Sequence, residues 1–177
     1  MLDNGLRRLF QNPERILWPY LKPGMAAIDL GCGPGYFTPA MARLAGPGGR
    51  VTAVDLQQEM LDAVREKSRR HGLGERIRLH RCREDTLDLA SGQADFVLAF
   101  YMVHEVPDKE RFLREVRDLL APGGKFLLVE PFFHVSREDF GQTLDRAGTA
   151  GLAVRERPPM LMSRAAVLAR DEVPPVP

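Results

Sequence analysis

Cysteine is scarce in this chain of 177 residues, which carries only Cys32 and Cys82. Two thiols cannot build a disulfide framework, and neither falls in a C-x-x-C pair, so the expected setting is reduced and cytoplasmic. No apolar run approaches the roughly 20 residues that a membrane-spanning helix needs. The first residues, Met1-Leu2-Asp3-Asn4-Gly5-Leu6-Arg7-Arg8, have no long apolar core behind their charges, so a soluble chain without membrane contact is expected. A dominant charge is missing too. Lys plus Arg is 25 against 24 for Asp plus Glu, which lacks the basic excess that non-specific nucleic-acid binding calls for. The cluster from Arg65 to Arg83 reads as a solvated helix face and sheet edge. There is no internal repeat.

What the chain has is apolar content, 44% of its residues, enough for one domain with a sizeable core. Its organising stretch is 26–45. Ala26-Ala27-Ile28-Asp29-Leu30 reads as a short buried strand, Gly31-Cys32-Gly33-Pro34-Gly35 as a glycine turn, and Tyr36, Phe37, Ala40, Met41 and Leu44 as the apolar positions of a helix. Three glycines in five residues let backbone turn sharply and approach a ligand where a Cβ would collide, and the turn leads to the open N–H groups of a helix start, which favour a negative group. A dinucleotide fingerprint, G-x-G-x-x-G, would need its third small residue at position 36, which is Tyr. The pattern is instead G-x-G-x-G, with Asp55 downstream where a carboxylate can accept hydrogen bonds from a ribose.

Around this unit, strands alternate with helices. Residues 1–21 read as one or two short helices carrying Leu6, Leu9 and Phe10, then Pro13, Ile16, Leu17 and Tyr20; Lys22-Pro23-Gly24 ends them. Residues 51–55 form a continuous apolar strand, 58–71 an amphipathic helix with Met60, Leu61 and Val64 inward, and 76–82 an alternating strand near the sheet edge. Residues 94–100 form a fourth strand and 107–120 a helix with Phe112, Leu113, Val116 and Leu119 at helical spacing, stopped by Pro122-Gly123-Gly124. A fifth strand spans 125–130, a helix starts at Ser136 on a cap-like segment, and 151–156 with 162–169 pair as a terminal hairpin. Such alternation calls for a mostly parallel sheet covered on both faces.

With these residues in view, the chain resembles the class I S-adenosylmethionine (SAM)-dependent methyltransferases, of the small type 11 kind, from about Gly24 to Arg170. The resemblance rests on 28–35, on Val54-Asp55 ahead of Met60-Leu61, on Glu84-Asp85, on Ala94-Asp95-Phe96-Val97, and on Leu119-Leu120-Ala121-Pro122-Gly123-Gly124-Lys125. It implies a Rossmann-like, doubly wound, seven-stranded sheet of order 3-2-1-4-5-7-6 with one antiparallel strand. It divides the chain into an N-terminal helical segment over the cleft (1–22), a SAM-binding domain (23–170) and a disordered tail (171–177). It also implies that Gly31, Cys32, Gly33 and Gly35 form the floor under SAM. Asp29 would support the loop and ammonium group, Asp55 would accept from both ribose hydroxyls, Leu56 would pack on adenine, Asp85 would accept from the adenine amino group, and Phe100 would line the site. Cys32 reads as small packing and not as a nucleophile, since no histidine partner is evident.

Methyl transfer to a hydroxyl or protonated amine needs a base, whereas a thiolate or carbanion reacts with positioning alone. The fourth strand runs out into Phe100-Tyr101-Met102-Val103-His104-Glu105 and the fifth into Glu130-Pro131-Phe132-Phe133-His134. In the implied order these strands are neighbours, so His104, Glu105, Glu130 and His134 are the candidate acceptor-side residues, as base and orienting partner or as a divalent metal site; the alternative is that they cap helices and face water. His80 and Cys82 end the third strand, away from this pair of strands. DNA amino-methyltransferases carry Asn-Pro-Pro or Asp-Pro-Pro after the fourth strand, and this chain has Phe100-Tyr101-Met102 there. The expected activity is therefore methyl transfer from SAM to a small molecule, with the N-terminal helices or a second subunit of a homodimer closing the cleft. The competing expectation is a SAM-binding partner protein without turnover.

Overall fold

The computed structural model describes residues 12–171. The first expected helix, with Leu6, Leu9 and Phe10, and the tail beyond Asp171 lie outside the described residues. Within them a single seven-stranded sheet runs β3 (Ile77–Arg81), β2 (Arg50–Asp55), β1 (Ala26–Leu30), β4 (Ala94–Phe100), β5 (Leu120–Pro131), β7 (Ser163–Arg170) and β6 (Leu152–Glu156), which is the order 3-2-1-4-5-7-6. The pairs through β5 are parallel; β7 runs antiparallel to both β5 and β6.

Both faces of the central strands are buried because side chains alternate between two helical layers. Phe96, Leu98, Leu127 and Val129 face α1 (Pro13–Leu17) and α2 (Thr38–Ala45), whose Leu17, Ala40 and Met41 complete that core. Ile28, Val97, Ala99, Phe126 and Leu128 face the opposite way, against Phe112, Leu113 and Val116 of α4 (Lys109–Leu119) and Phe140 and Leu144 of α5 (Arg137–Thr149). α3 (Gln58–Arg70) contributes Leu61 and Val64 to a third cluster with Cys32 and Ala53. The cap expected at Ser136 is a full capping box: Ser136 Oγ accepts from the Asp139 N–H at 3.0 Å, and Asp139 Oδ2 accepts from the Ser136 N–H at 3.2 Å.

One expectation needs correction. Pro122-Gly123-Gly124 does not separate helix from strand; β5 begins at Leu120 and carries an irregularity there, its register jumping from Ala94↔Leu120 to Phe96↔Lys125. Gly123 has φ +75°, and a Cβ on Gly124 would lie 2.6 Å from the Ala94 carbonyl oxygen, so the strand passes this point only because both residues are glycine. The described part of the N-terminal segment, residues 12–21, packs on β4 and α2. Tyr20 stacks in parallel on Phe96 with centroids 6.3 Å apart, Lys125 lies over its ring, and Glu14 pairs with Arg43 near the end of α2, all toward the beginnings of the strands. Trp18 is mostly exposed, with the Lys22 ammonium over its face.

The strand order reverses between β1 and β4, and the crevice at their carboxyl ends is where open parallel sheets bind ligands. The glycine turn after β1 and residues 101–105 after β4 form its walls.

Candidate active site

The glycine turn is built as a cradle. Gly31, Gly33 and Gly35 all have positive φ, at 62°, 51° and 73°. A Cβ on Gly31 would meet Met102 at 2.9 Å, so the end of β4 presses directly on the loop; a Cβ on Gly35 would meet Val64 at 3.1 Å, while one on Gly33 would project into open space. The loop therefore rests on protein at its two ends and offers bare backbone in the middle. Asp29 lies beneath it, 2% exposed, with Thr38 Oγ1 donating to its Oδ2 at 2.6 Å. Burial pushes its carboxyl up to about 7, the Thr38 hydrogen bond draws it down, and nearby Asp55 raises it further. Thr38 opens α2, so Asp29 ties β1 to the start of that helix.

Asp55 closes β2 and reaches across to the loop: its Oδ2 accepts from the Gly33 N–H at 2.9 Å and its Oδ1 from the Gln57 N–H at 3.0 Å. Two accepted bonds leave about half of the roughly four acceptor positions of a carboxylate, enough to receive ribose hydroxyls. Beside it Leu56 is 44% exposed, an apolar side chain partly open to solvent. Phe100 is buried, packed between Phe37 at 4.3 Å and Tyr101 at 4.4 Å between ring centroids, so it backs the site as packing. Asp85 stands in a tight turn bridged by Arg83 and Thr86, exposed, with Arg111 Nη1 4.0 Å from its Oδ2; neighbouring Glu84 is exposed as well. Cys32 is buried and its thiol is pushed up strongly, first by burial and then by Asp29 and Asp55, so a thiolate is disfavoured. Bare backbone at Gly33, spare acceptor capacity on Asp55 and open Leu56 fit the backbone, ribose and adenine contacts of a bound SAM.

On the acceptor side the structure gathers the four expected groups around His104, with Glu130 and His134 inside and Glu105 at the exposed edge. Glu130, 2% exposed at the end of β5, accepts from the His104 backbone N–H through Oε1 at 3.0 Å, and its Oε2 lies 2.5 Å from His104 Nδ1. Burial pushes the Glu130 carboxyl above its usual range, and hydrogen bonds and charge from His104 hold that rise in check. With Nδ1 committed to a carboxylate, the imidazole presents Nε2 outward as its basic nitrogen. The His134 ring lies nearly parallel to it, 5.9 Å away with a 14° interplanar angle. Glu105 stands at the edge of this group, its carboxylate 77% exposed and 3.8 Å from His104 Nε2. The capping alternative holds in part, since Glu130 also takes backbone N–H groups of the short 3-10 turn Val103–Glu105. Among the described residues no group of three or more His, Cys, Asp or Glu side chains is arranged to hold a metal ion. His80 is occupied elsewhere, its Nε2 2.7 Å from the Leu87 carbonyl oxygen.

Sequence reasoning passed over Thr38, Met102 and Tyr101. Tyr101 has φ +63°, a costly conformation for a bulky residue, held by its N–H donating to Val129 O at 2.8 Å and by its hydroxyl 2.5 Å from Ser163 Oγ. This turn swings Met102 onto Gly31 and the amide of His104 onto Glu130. A polar residue at a helix start was a usable signal for Thr38; nothing in the sequence marks a left-handed tyrosine.

A methyltransferase domain model matches residues 28–128, from β1 into β5. Among curated proteins the chain is similar to the ubiquinone/menaquinone biosynthesis C-methyltransferase UbiE of Hahella chejuensis, 31% identical over 130 residues that make up 73% of this chain and 52% of that protein. It is 33% identical to the demethylmenaquinone methyltransferase of Lactobacillus johnsonii over 128 residues, 72% of this chain and 50% of the other. The chain thus spans about half the length of the curated relatives it matches. Among solved structures, a SAM-dependent methyltransferase from Aquifex aeolicus superposes with a TM-score of 0.83 at 26% identity, covering 95% of this chain and 94% of that one. The glycine cradle, the sheet order and the match over 28–128 agree: the chain belongs to the methyltransferase domain family, with SAM as the cofactor of its fold.

Proposed function

We propose that this protein transfers the SAM methyl group to a small-molecule acceptor from which His104 removes a proton. The observation that carries this is the buried Glu130 carboxylate bound to His104 Nδ1 two residues beyond Met102, which itself presses on Gly31 of the cofactor loop. Bound SAM supplies an electrophilic methyl on a sulfonium sulfur. An acceptor oxygen or carbon that takes that methyl would lose its proton to His104 Nε2, while Glu130 would hold the ring and steady its positive charge. His134 is the stacked wall beside that base and Glu105 the solvent rim. The relatives named as C-methyltransferases support an acceptor of this kind, because a carbon nucleophile must also lose a proton. Asp55 would hold the ribose hydroxyls, Leu56 the adenine face and Asp85 the adenine amino group.

Two free thiols, Cys32 buried and Cys82 half-buried, support a reducing, cytoplasmic setting. Exposed Phe132, Phe133, Leu161 and Met162 supply apolar surface that a second copy in a homodimer would cover; sedimentation at the monomer mass across micromolar concentrations would remove that part.

The test is incubation of the purified protein with methyl-labelled SAM and fractionated small metabolites, repeated with His104→Gln and Glu130→Gln. A labelled small product is expected, with turnover reduced roughly 100-fold or more in both variants while SAM affinity holds. Binding of SAM with no labelled product from any fraction would sink the proposal and leave a cofactor-binding module. Unchanged rates and pH profile in both variants would remove the base.

A further inference from the structure

The outer face of α3 is rich in charge, and most of it is spent within the helix: Arg65 pairs with Asp62, and both Arg69 and Arg70 pair with Glu66. Lys67 does something different. Its Nζ leaves the helix and donates to two successive carbonyl oxygens at the apex of the glycine loop, Pro34 O at 2.6 Å and Gly35 O at 2.8 Å. One turn earlier on the same face, Val64 stands against Gly35 so closely that a Cβ there would be 3.1 Å from it. The apex is therefore gripped from α3 at two points, an apolar seat under Gly35 and an ammonium over the carbonyls on either side of its nitrogen.

We infer that Lys67 is a positioning residue for the cofactor, holding the glycine loop in its SAM-ready form. The argument rests on the SAM-dependent reading above and on peptide geometry. A trans peptide is planar, with its C=O and N–H pointing opposite ways. Fixing the direction of Pro34 O and Gly35 O toward Lys67 fixes the Gly35 and Tyr36 N–H groups as well. Three glycines at positive φ give this loop many alternative conformations, since glycine adopts either sign of φ readily. Asp55 restrains the loop at Gly33 and Met102 covers it at Gly31, but neither reaches the apex. At the apex the Gly35 N–H closes a turn onto Cys32 O at 3.1 Å and Val64 seats Gly35, while the direction of the Pro34 and Gly35 carbonyls is held by the charge-assisted hydrogen bonds from Lys67. Lys67 touches no reacting atom in this account; it acts by keeping the binding-competent loop populated.

The experiment compares wild type with Lys67→Met, which keeps the aliphatic stem, and Lys67→Arg. Calorimetric titration with SAM is run well below the melting temperature of each, alongside hydrogen exchange of the loop amides in the ligand-free protein. If loss of the ammonium leaves the loop competent about a tenth of the time, the apparent Kd rises about tenfold in Lys67→Met. Exchange at Gly35 and Tyr36 speeds up, the Arg variant recovers part of both effects, and kcat at saturating SAM stays near wild type. A merely structural lysine would lower the melting temperature without moving Kd or the local exchange. An affinity within twofold of wild type, with unchanged exchange at the loop, overturns the inference. Should wild type itself not bind SAM, the functional reading fails, and the exchange comparison still decides whether Lys67 orders the loop.

Discussion

Replacing Asp29 with Asn should stabilise the protein at neutral and alkaline pH and flatten its stability between pH 4 and 7. Asp29 is 2% exposed, accepts one hydrogen bond from Thr38 at 2.6 Å, and shares its surroundings with Asp55. Its carboxyl rises from an ordinary 3.8 to about 7. Between those values the native chain holds a proton that the unfolded chain has released, so stability falls as pH rises through this window and levels off above it. At about 1.36 kcal/mol per pH unit, the loss accumulates to roughly 4 kcal/mol by pH 8. Asparagine carries no charge to desolvate, and its Oδ1 can still accept from Thr38. For a chain of this size, about 4 kcal/mol corresponds to a melting shift on the order of 10 °C. Thermal melts of wild type and Asp29→Asn at half-unit steps from pH 4.5 to 8.5 read it directly, because titrating groups not coupled to Asp29 cancel in the difference. The variant should gain on wild type steadily with pH. Parallel curves, or a wild type that grows more stable relative to the variant as pH rises, would refute the reasoning.

Alanine in the cradle separates clash from conformation. Gly31→Ala and Gly33→Ala both force a side chain to positive φ, at roughly 1 to 2 kcal/mol, but Gly31→Ala must also displace Met102, so urea melts should show it as the less stable of the two. Gly33→Ala should fold well and still lose SAM affinity in calorimetry, since its new methyl projects into the open face of the loop. Tyr101→Phe removes the 2.5 Å contact with Ser163 and should cost about 1 kcal/mol in equilibrium unfolding, with turnover falling because the twisted turn after β4 is less firmly held. A Phe variant with wild-type stability and rate would show that the backbone alone keeps that turn.

Much of this architecture is legible in one dimension because its rules are local. The bounds of β4, the stop of α3 before Gly72 and the cap at Ser136 follow from apolar runs and breaker residues, and their neighbours in space follow from the resemblance. The convergence of His104 and Glu130 is legible only as far as adjacent strands. That their side chains meet depends on a register pairing Phe100 with Val129 and on a tyrosine at positive φ, which depends in turn on Ser163 of a strand sixty residues later. Glu105 is placed by its position after the fourth strand and Asp85 by the resemblance, yet a single residue's rotation in a turn decides whether a carboxylate faces a cleft or water, and both are exposed. Lys67 reads as one more solvated base in a charged helix until the loop is seen beside it. Contacts set by long-range register or turn rotation leave no periodic trace in sequence.

The insertion of β7 between β5 and β6 has a consequence for how the chain comes to be folded. Among the described residues β6 pairs only with β7, and β7 bonds along β5 from Lys125↔Ala169 to Pro131↔Ser163. Until residues 163–170 have been synthesised, β6 has no neighbour and β5, with Phe126, Leu127, Leu128 and Val129 in a row, presents an open apolar edge to any other chain. A ribosome-bound or truncated chain ending before this strand would carry the cofactor loop and Asp55 and yet be prone to pair edge to edge with its own kind. This strand thus acts as the gatekeeper of the sheet, and yield of soluble protein should depend steeply on it.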